Sequence, residues 1–153
     1  AAKSLSSEDI KNITKAISPG FDLLPVLFRQ LEEQEEKLFR LTKAQHTKLI
    51  ANYHLANSIH DGGCEDLPPV VKLFGGTSCT WLLVDLDPET NIAFALCDLG
   101  FGTPELGSVS LDELKAIKFP PFGLPVERDR HFETTMPISK FASTARNLGY
   151  IET

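Results

Sequence analysis

Apolar side chains recur at intervals of three and four in the first 62 residues, which is the spacing of one face of an α-helix. This pattern predicts three helices, over 5–17, over 22–40 and from Thr42 to Gly62. Thr42 and Gln45 have the spacing of a capping box, in which each side chain bonds the backbone N–H of the other residue. We therefore expect the N-terminal part of the chain to be helical, with a well-defined start for the third helix.

After Pro68 the pattern changes to the alternation that is typical of half-buried strands. Strands are predicted over 70–74, 79–86, 92–98 and 105–110, and an edge strand is predicted over 126–132. Ser110 and Glu113 form a second capping box that predicts a short helix. A C-terminal helix is expected from Pro137 to Gly149, with an inward face formed by Ile138, Phe141, Ala142, Ala145 and Leu148.

The strands at 79–86 and 92–98 are joined by a segment with turn chemistry, Asp87–Asn91, and should form a hairpin. If the pairing is symmetric about Glu89, Leu82, Val84 and Leu86 share one apolar face. Trp81 lies on the other face, opposite small residues. Either a helix packs over that second face or a ligand binds there.

Taken together, these elements predict an α+β fold, with N-terminal helices followed by a small antiparallel sheet and a C-terminal helix. At 153 residues the chain has the usual size of one domain. We expect a single domain over 1–153, with a helical part over 1–62, a sheet over 68–132 and a final helix over 136–149.

The net charge of −6 is unusual for proteins that bind nucleic acid mainly through its phosphates, because such proteins carry a basic excess. The three cysteines, Cys64, Cys79 and Cys97, form no close pair and are expected to be reduced thiols. No apolar run reaches the ~18 residues of a membrane span, and the N-terminus lacks the apolar core of a signal peptide. The sequence thus predicts a cytoplasmic protein without a membrane partner.

Asp98 and Glu105 flank a glycine-rich loop and are the candidate catalytic or metal-binding carboxylates. If the loop folds back, the pair could hold Mg²⁺ or Mn²⁺, or divide acid and base roles, and Arg128 could clamp a phosphate. The alternatives are that both carboxylates bond loop amides and that Arg128 forms a salt bridge to one of them. Apart from such a divalent metal, no cofactor is predicted.

Aromatic residues outside the predicted helices form a second group of candidates. Exposure is expected for the side chains of Trp81, Phe101, Phe119 and Phe122. Trp81, Phe101 and Phe122, together with Arg128, are therefore the candidate partner-binding residues. Lys43 and Lys48, near the start of the third helix, are the candidates for direct DNA contact.

An ordered series of short motifs resembles one bacterial family of unknown function. The motifs are TWLL at 80–83, LDP at 86–88, AFALCDLG at 93–100, PELGSVSL at 104–111 and GLPVERD at 123–129, preceded by LTKAQ at 41–45 and PVVKLF at 69–74. The resemblance covers about 41–132, and the helices before 41 and after 136 depart from the family pattern. The family is encoded mostly on conjugative plasmids, integrative elements and phages, often near antirestriction genes, and it has no assigned catalytic residues.

The resemblance implies an accessory protein of a mobile element in the bacterial cytoplasm. Since the residues form no catalytic constellation, the leading hypothesis is a non-enzymatic binding module for a protein or protein–nucleic-acid partner, related to antirestriction or host defence. One alternative is a metal-dependent hydrolase that acts on nucleic acid through Asp98 and Glu105. The other is a protein that binds DNA directly.

Overall fold

The computed structural model describes residues 6–7, 24–58 and 65–153. The chain divides into two compact units, Ala1–Leu38 and Phe39–Thr153. In the described residues the helices are α1 (Leu24–Phe39), α2 (Lys43–Ser58), α3 (Leu111–Ala116) and α4 (Ile138–Leu148). The strands are β1 (Val71–Gly75), β2 (Cys79–Leu83), β3 (Ile92–Asp98), β4 (Glu105–Ser110) and β5 (Glu127–Arg128). Nearly all of the helix predicted over 5–17 lies outside the described residues. Cys64 lies outside them as well.

The five strands form one antiparallel sheet in the order β4-β3-β2-β1-β5. The predicted α+β fold is therefore confirmed. In the central hairpin Trp81 pairs with Cys97 and Leu82 with Leu96, which is the register expected from symmetry about Glu89. The β1–β2 turn and the β3–β4 loop lie at the same end of the sheet, because β2 and β3 run in opposite directions.

Helices cover both faces of the sheet within Phe39–Thr153. On one face Leu49 of α2 and Leu111 and Leu114 of α3 pack with a core that includes Trp81 and Leu83. On the other face α4 packs on the sheet side chains Leu82, Val84 and Leu96 through Ile138, Phe141, Ala142 and Ala145. The hypothesis that a helix packs over the Trp81 face is thus confirmed.

Leu86 does not share the face of Leu82 and Val84, so its predicted position was wrong. The regular strand β2 ends at Leu83, and the side chain of Asp85 accepts the Phe94 N–H at 3.0 Å. Because a side chain replaces a backbone acceptor here, the strict alternation of side chains between the two faces stops. Leu86 packs in the core that contains Leu49 of α2. Burial raises the pKa of the Asp85 carboxyl above its usual value.

Local signals in the sequence define the starts of α2 and α3 and the end of α4. The Thr42 N–H donates to Gln45 Oε1 at 3.0 Å and the Gln45 N–H donates to Thr42 Oγ1 at 3.1 Å, so this predicted capping box is present. Ser110 caps α3 by accepting the Glu113 N–H at 3.3 Å. Gly149 ends α4 in the left-handed conformation, with φ of 82°.

Two predictions about the C-terminal part were inaccurate. The edge strand expected over 126–132 is only two residues long, because the chain turns away after Arg128. Leu148 is 44% exposed and lies outside the core that buries the other predicted face residues of α4. Among the described residues, no helix is long and apolar enough to cross a membrane.

Candidate functional site

Asp98 is a buried residue that organises the chain around it. One carboxylate oxygen accepts the Gly100 N–H at 2.9 Å, and the other accepts the Ile151 N–H at 3.1 Å. The side chain is 3% exposed. Asp98 therefore joins the loop after β3 to the C-terminal segment, as in the alternative in which it bonds loop amides.

The structure does not bring Asp98 and Glu105 together. Glu105 pairs with Cys97, and paired residues of antiparallel strands point to the same face of the sheet. Because side chains alternate along β3, Asp98 points to the opposite face from Cys97 and hence from Glu105. Within the part of the chain that the structure describes, no group of three or more His, Cys, Asp or Glu side chains is arranged to hold a metal ion.

Arg128 lies on β5, at the opposite edge of the sheet from Glu105 on β4. Four interstrand spacings separate these edges, a distance of roughly 19 Å. The Arg128 Nε–H donates instead to the Arg40 carbonyl oxygen at 2.7 Å. Through its pairing with Leu73, Arg128 also shares the sheet face of Cys97, opposite to Asp98. The alternative in which Arg128 forms a salt bridge to Asp98 or Glu105 is therefore wrong, and so is the proximity that the hydrolase hypothesis requires.

The aromatic candidates divide into buried and exposed residues. Trp81 is 2% exposed, so the expectation that its indole is available to a partner is wrong. Phe119 is half-buried and packs over the glycines at the end of β1, where a Cβ on Gly75 would overlap the Phe119 ring. Phe101 and Phe122 are more than 80% exposed, as expected, and lie on loops at the same end of the sheet.

The outer edge of β4 is the feature that sequence reasoning missed. In the ladder between β2 and β3, the Val84 N–H donates to the Phe94 carbonyl and the Asp87 N–H donates to the Ile92 carbonyl. The backbone groups of even-numbered β3 residues therefore point to β2, and those of odd-numbered residues point to β4. Since Ala95 pairs with Gly107, the N–H and C=O of Gly107 point inward.

The neighbours of Gly107 on β4 consequently direct their backbone groups away from the sheet. Leu106 and Ser108 each present an N–H and a C=O at the outer edge, and among the described residues no strand pairs with that edge. Most of β4 is exposed or half-buried, and a Cβ on Gly107 would meet no atom within 4 Å. Glu105 at the start is the one charged residue of the strand, which contains no lysine, proline or bulge, and these are common means of preventing edge pairing.

A cleft of about 550 Å³ opens beside this edge on the α4 side of the sheet. Its lining includes Leu96 and Leu106 from the sheet and Ala142 and Arg146 from α4. Thr103, Pro104 and Glu105 also line the cleft, so apolar side chains, one guanidinium group and one carboxylate surround it. The backbone edge and the adjoining side-chain cleft together form the candidate site, which we call the β4 edge site.

The chain matches one protein family over most of its length. The model of the family described as "Protein of unknown function (DUF2958)" matches residues 40–152. The chain belongs to this family. The DUF2958 match includes α4, so the expectation that residues after 136 depart from the family was wrong. No curated protein and no solved structure matches the chain.

Proposed function

We propose that this DUF2958 protein is a binding module that adds an extended segment of a protein partner to the outer edge of β4. The observation that carries the proposal is the row of outward backbone groups at Leu106 and Ser108, which lacks a partner strand in the described part of the chain. Main-chain hydrogen bonds supply affinity in such strand addition, whereas side-chain pockets supply specificity. The β4 edge site offers both.

The residues that line the cleft indicate which side chains a partner segment would carry. Every second side chain of an added strand would point to the α4 side, where Leu96, Leu106 and Ala142 favour an apolar residue. Arg146 favours a carboxylate on a neighbouring position of the same face. Phe101 precedes β4 in the adjoining loop and is 83% exposed, so it can extend the contact beyond the strand.

The wider setting in our proposal is that of an accessory protein of a plasmid, integrative element or phage, acting in the bacterial cytoplasm. The resemblance of motifs such as AFALCDLG and PELGSVSL supports this setting. A partner in antirestriction or host defence would fit it. The hydrolase alternative has less support, because its three candidate residues lie on opposite faces and edges of the sheet.

The test is selection from a displayed peptide library with segments of about nine residues, the upper range of strand lengths. Selected peptides are then measured by calorimetry against wild type, Ser108→Pro and Ser108→Ala. Proline removes the outward N–H without entering the β3 ladder, whereas alanine keeps that N–H. We expect Ser108→Pro to weaken binding about tenfold or more and Ser108→Ala to bind like wild type.

Side-chain preference supplies a second criterion in the same experiment. Peptides selected by wild type should alternate apolar positions and carry an acidic residue, and Arg146→Gln should lose the preference for that acid. Failure to select any binder, or equal affinity of Ser108→Pro and wild type, would contradict strand addition at β4.

A further inference from the structure

A groove lies at the other side of the sheet, between α2 and the segment that follows β5. Two adjoining clefts of about 720 and 380 Å³ form it, and both are lined by Val70, Phe132 and Glu133. The larger cleft has a volume within the usual range for small-molecule sites. Because β5 and β4 are the two opposite edges of the sheet, the groove is separate from the β4 edge site.

The charged side chains of the groove are mostly cationic. Lys48 lines the larger cleft, Arg128 and Arg130 line the smaller one, and Glu133 lines both. Three cations and one carboxylate give a local charge of +2, in a chain whose net charge is −6. Guanidinium groups match the geometry of phosphate oxygens, so the charge indicates a phosphate-bearing ligand.

Asn52 is a buried polar residue in the wall of the larger cleft, where it is 3% exposed. Its amide nitrogen donates to the Val84 carbonyl oxygen at 2.8 Å. Since that partner is an acceptor, the orientation of the amide is fixed, and Oδ1 is the remaining group. No described residue donates to Oδ1, and no fully buried side-chain oxygen of the described residues lacks a partner, so Oδ1 keeps some accessible surface on a residue that lines the cleft.

Most of the remaining lining of the larger cleft is apolar, and Thr134 and Thr135 are its polar exceptions. Leu67, Pro68, Pro69 and Val70 are consecutive in the chain, and they line the cleft together with Phe132. Such an apolar surface suits a flat ring. The site therefore offers an apolar surface for a ring, one fixed acceptor for a donor on that ring, and cations for an attached anion.

We propose that this groove binds a nucleotide whose base carries an exocyclic amine, such as adenine or cytosine. The amine donates to Asn52 Oδ1, the base lies against the Pro68–Val70 wall, and the phosphate lies near Lys48 and Arg130. A base with a carbonyl at that position would face Oδ1 with a second acceptor and bind less well. The ligand class is thus set by the amide that Val84 orients.

Binding is measured by calorimetry on the full chain, with AMP, IMP, CMP, UMP and inorganic phosphate as probes. IMP carries a carbonyl group where AMP carries the exocyclic amine, and UMP differs from CMP in the same way. We expect AMP or CMP to bind with a dissociation constant of about 0.1–1 mM and to bind about tenfold more tightly than IMP or UMP. Inorganic phosphate should bind more weakly than the preferred nucleotide.

Charge variants test the position of the phosphate. Lys48→Gln and Arg130→Gln should each weaken binding of the preferred nucleotide about fivefold, because each removes one phosphate-facing cation. Lys43→Gln is the matched control, since Lys43 lies on the same helix and does not line either cleft. Circular dichroism of each variant establishes that the fold is retained.

A 5′-phosphorylated adenine dinucleotide distinguishes two sources of the same chemistry. Tighter binding than AMP would identify the end of a nucleic-acid strand, and equal or weaker binding would identify a free nucleotide; both results support the proposal. Absence of saturable AMP and CMP binding at about 5 mM would overturn it. Equal binding of AMP and IMP, and of CMP and UMP, or equal effects of Lys43→Gln and Lys48→Gln, would also overturn it.

Discussion

At the residue scale, Asp98 shows how a buried carboxylate can stabilise a fold by completing backbone hydrogen bonds. It accepts the N–H groups of Gly100 and Ile151, which come from two distant parts of the chain. Its position beside a glycine-rich loop is visible in the sequence, but its second partner is 53 residues away. Local spacing could therefore predict the loop contact and not the contact with the C-terminal segment.

Asp98→Ala is expected to lower the free energy of unfolding by about 1–3 kcal/mol, because it leaves buried N–H donors without an acceptor. Urea denaturation measures this change. Glu105→Ala is the control and should change stability by less than about 0.5 kcal/mol, since that side chain is exposed. Equal effects of the two substitutions would contradict the structural role of Asp98.

Cys97 provides a residue-scale prediction about ionisation. Burial raises the pKa of its thiol to about 11, from an ordinary value of 9.0. Because the pKa is raised, about one thiol in a thousand is ionised at pH 8, and the rate of alkylation should still rise about tenfold per pH unit up to pH 10.

The measurement is iodoacetamide labelling followed by mass spectrometry, in a Cys64→Ser background so that labelling reports the two described thiols. Cys97→Ser in the same background identifies the contribution of Cys97. A labelling rate of Cys97 that levels off near pH 9 would show that partial burial does not raise the pKa of its thiol to about 11.

At the scale of elements, capping boxes and alternating strands could be predicted from local sequence. Thr42 with Gln45 and Ser110 with Glu113 define helix starts by spacing alone. The register of the β2–β3 hairpin followed from its turn. The break in alternation at Asp85 could not be predicted, because it depends on a side chain replacing a backbone acceptor across the hairpin.

The candidate site could be predicted from the sequence less well than the fold. Whether a strand lies at an edge depends on the order of all five strands, which alternation does not reveal. Asn52 was missed for a similar reason, since its hydrogen-bond partner Val84, which directly follows β2, is 32 residues away. Exposed aromatic residues such as Phe101 could be predicted because a glycine-rich loop has little capacity to bury them.

Neighbouring backbone N–H groups of β4 point alternately away from β3 and toward it, so proline should have different effects on stability at adjacent positions. Ser108→Pro should retain most of the stability, because the lost N–H points away from β3. Gly107→Pro should cost about 1–3 kcal/mol or more, because its N–H belongs to the inner ladder and the buried Ala95 carbonyl would lose its donor. Urea denaturation compares the two variants. Greater destabilisation by Ser108→Pro would show that the N–H of Ser108, and not that of Gly107, points toward β3.

At the scale of the whole molecule, both described cores lie within Phe39–Thr153. The family match over 40–152 nearly coincides with this unit. The α2 helix, the sheet and α4 therefore form the part of the chain that carries the β4 edge site and the groove. Functional tests of either site depend on the integrity of this unit.

A chain limited to Phe39–Thr153 is expected to unfold in a single cooperative transition, because it contains both cores. Urea denaturation followed by tryptophan fluorescence and by circular dichroism should give the same midpoint, since Trp81 lies in one core and α4 packs on the other. Different midpoints for the two probes would show that the unit is not a single cooperative structure.

The central claim is that a partner segment pairs with the outer edge of β4, and amide hydrogen exchange tests it most directly. With a selected peptide bound at saturation, exchange at the Leu106 and Ser108 amides should slow about tenfold or more, because both N–H groups become hydrogen-bonded. The Gly107 and Val109 amides already face β3 and should change little. Unchanged exchange at Leu106 and Ser108 in the saturated complex would contradict strand addition at this edge.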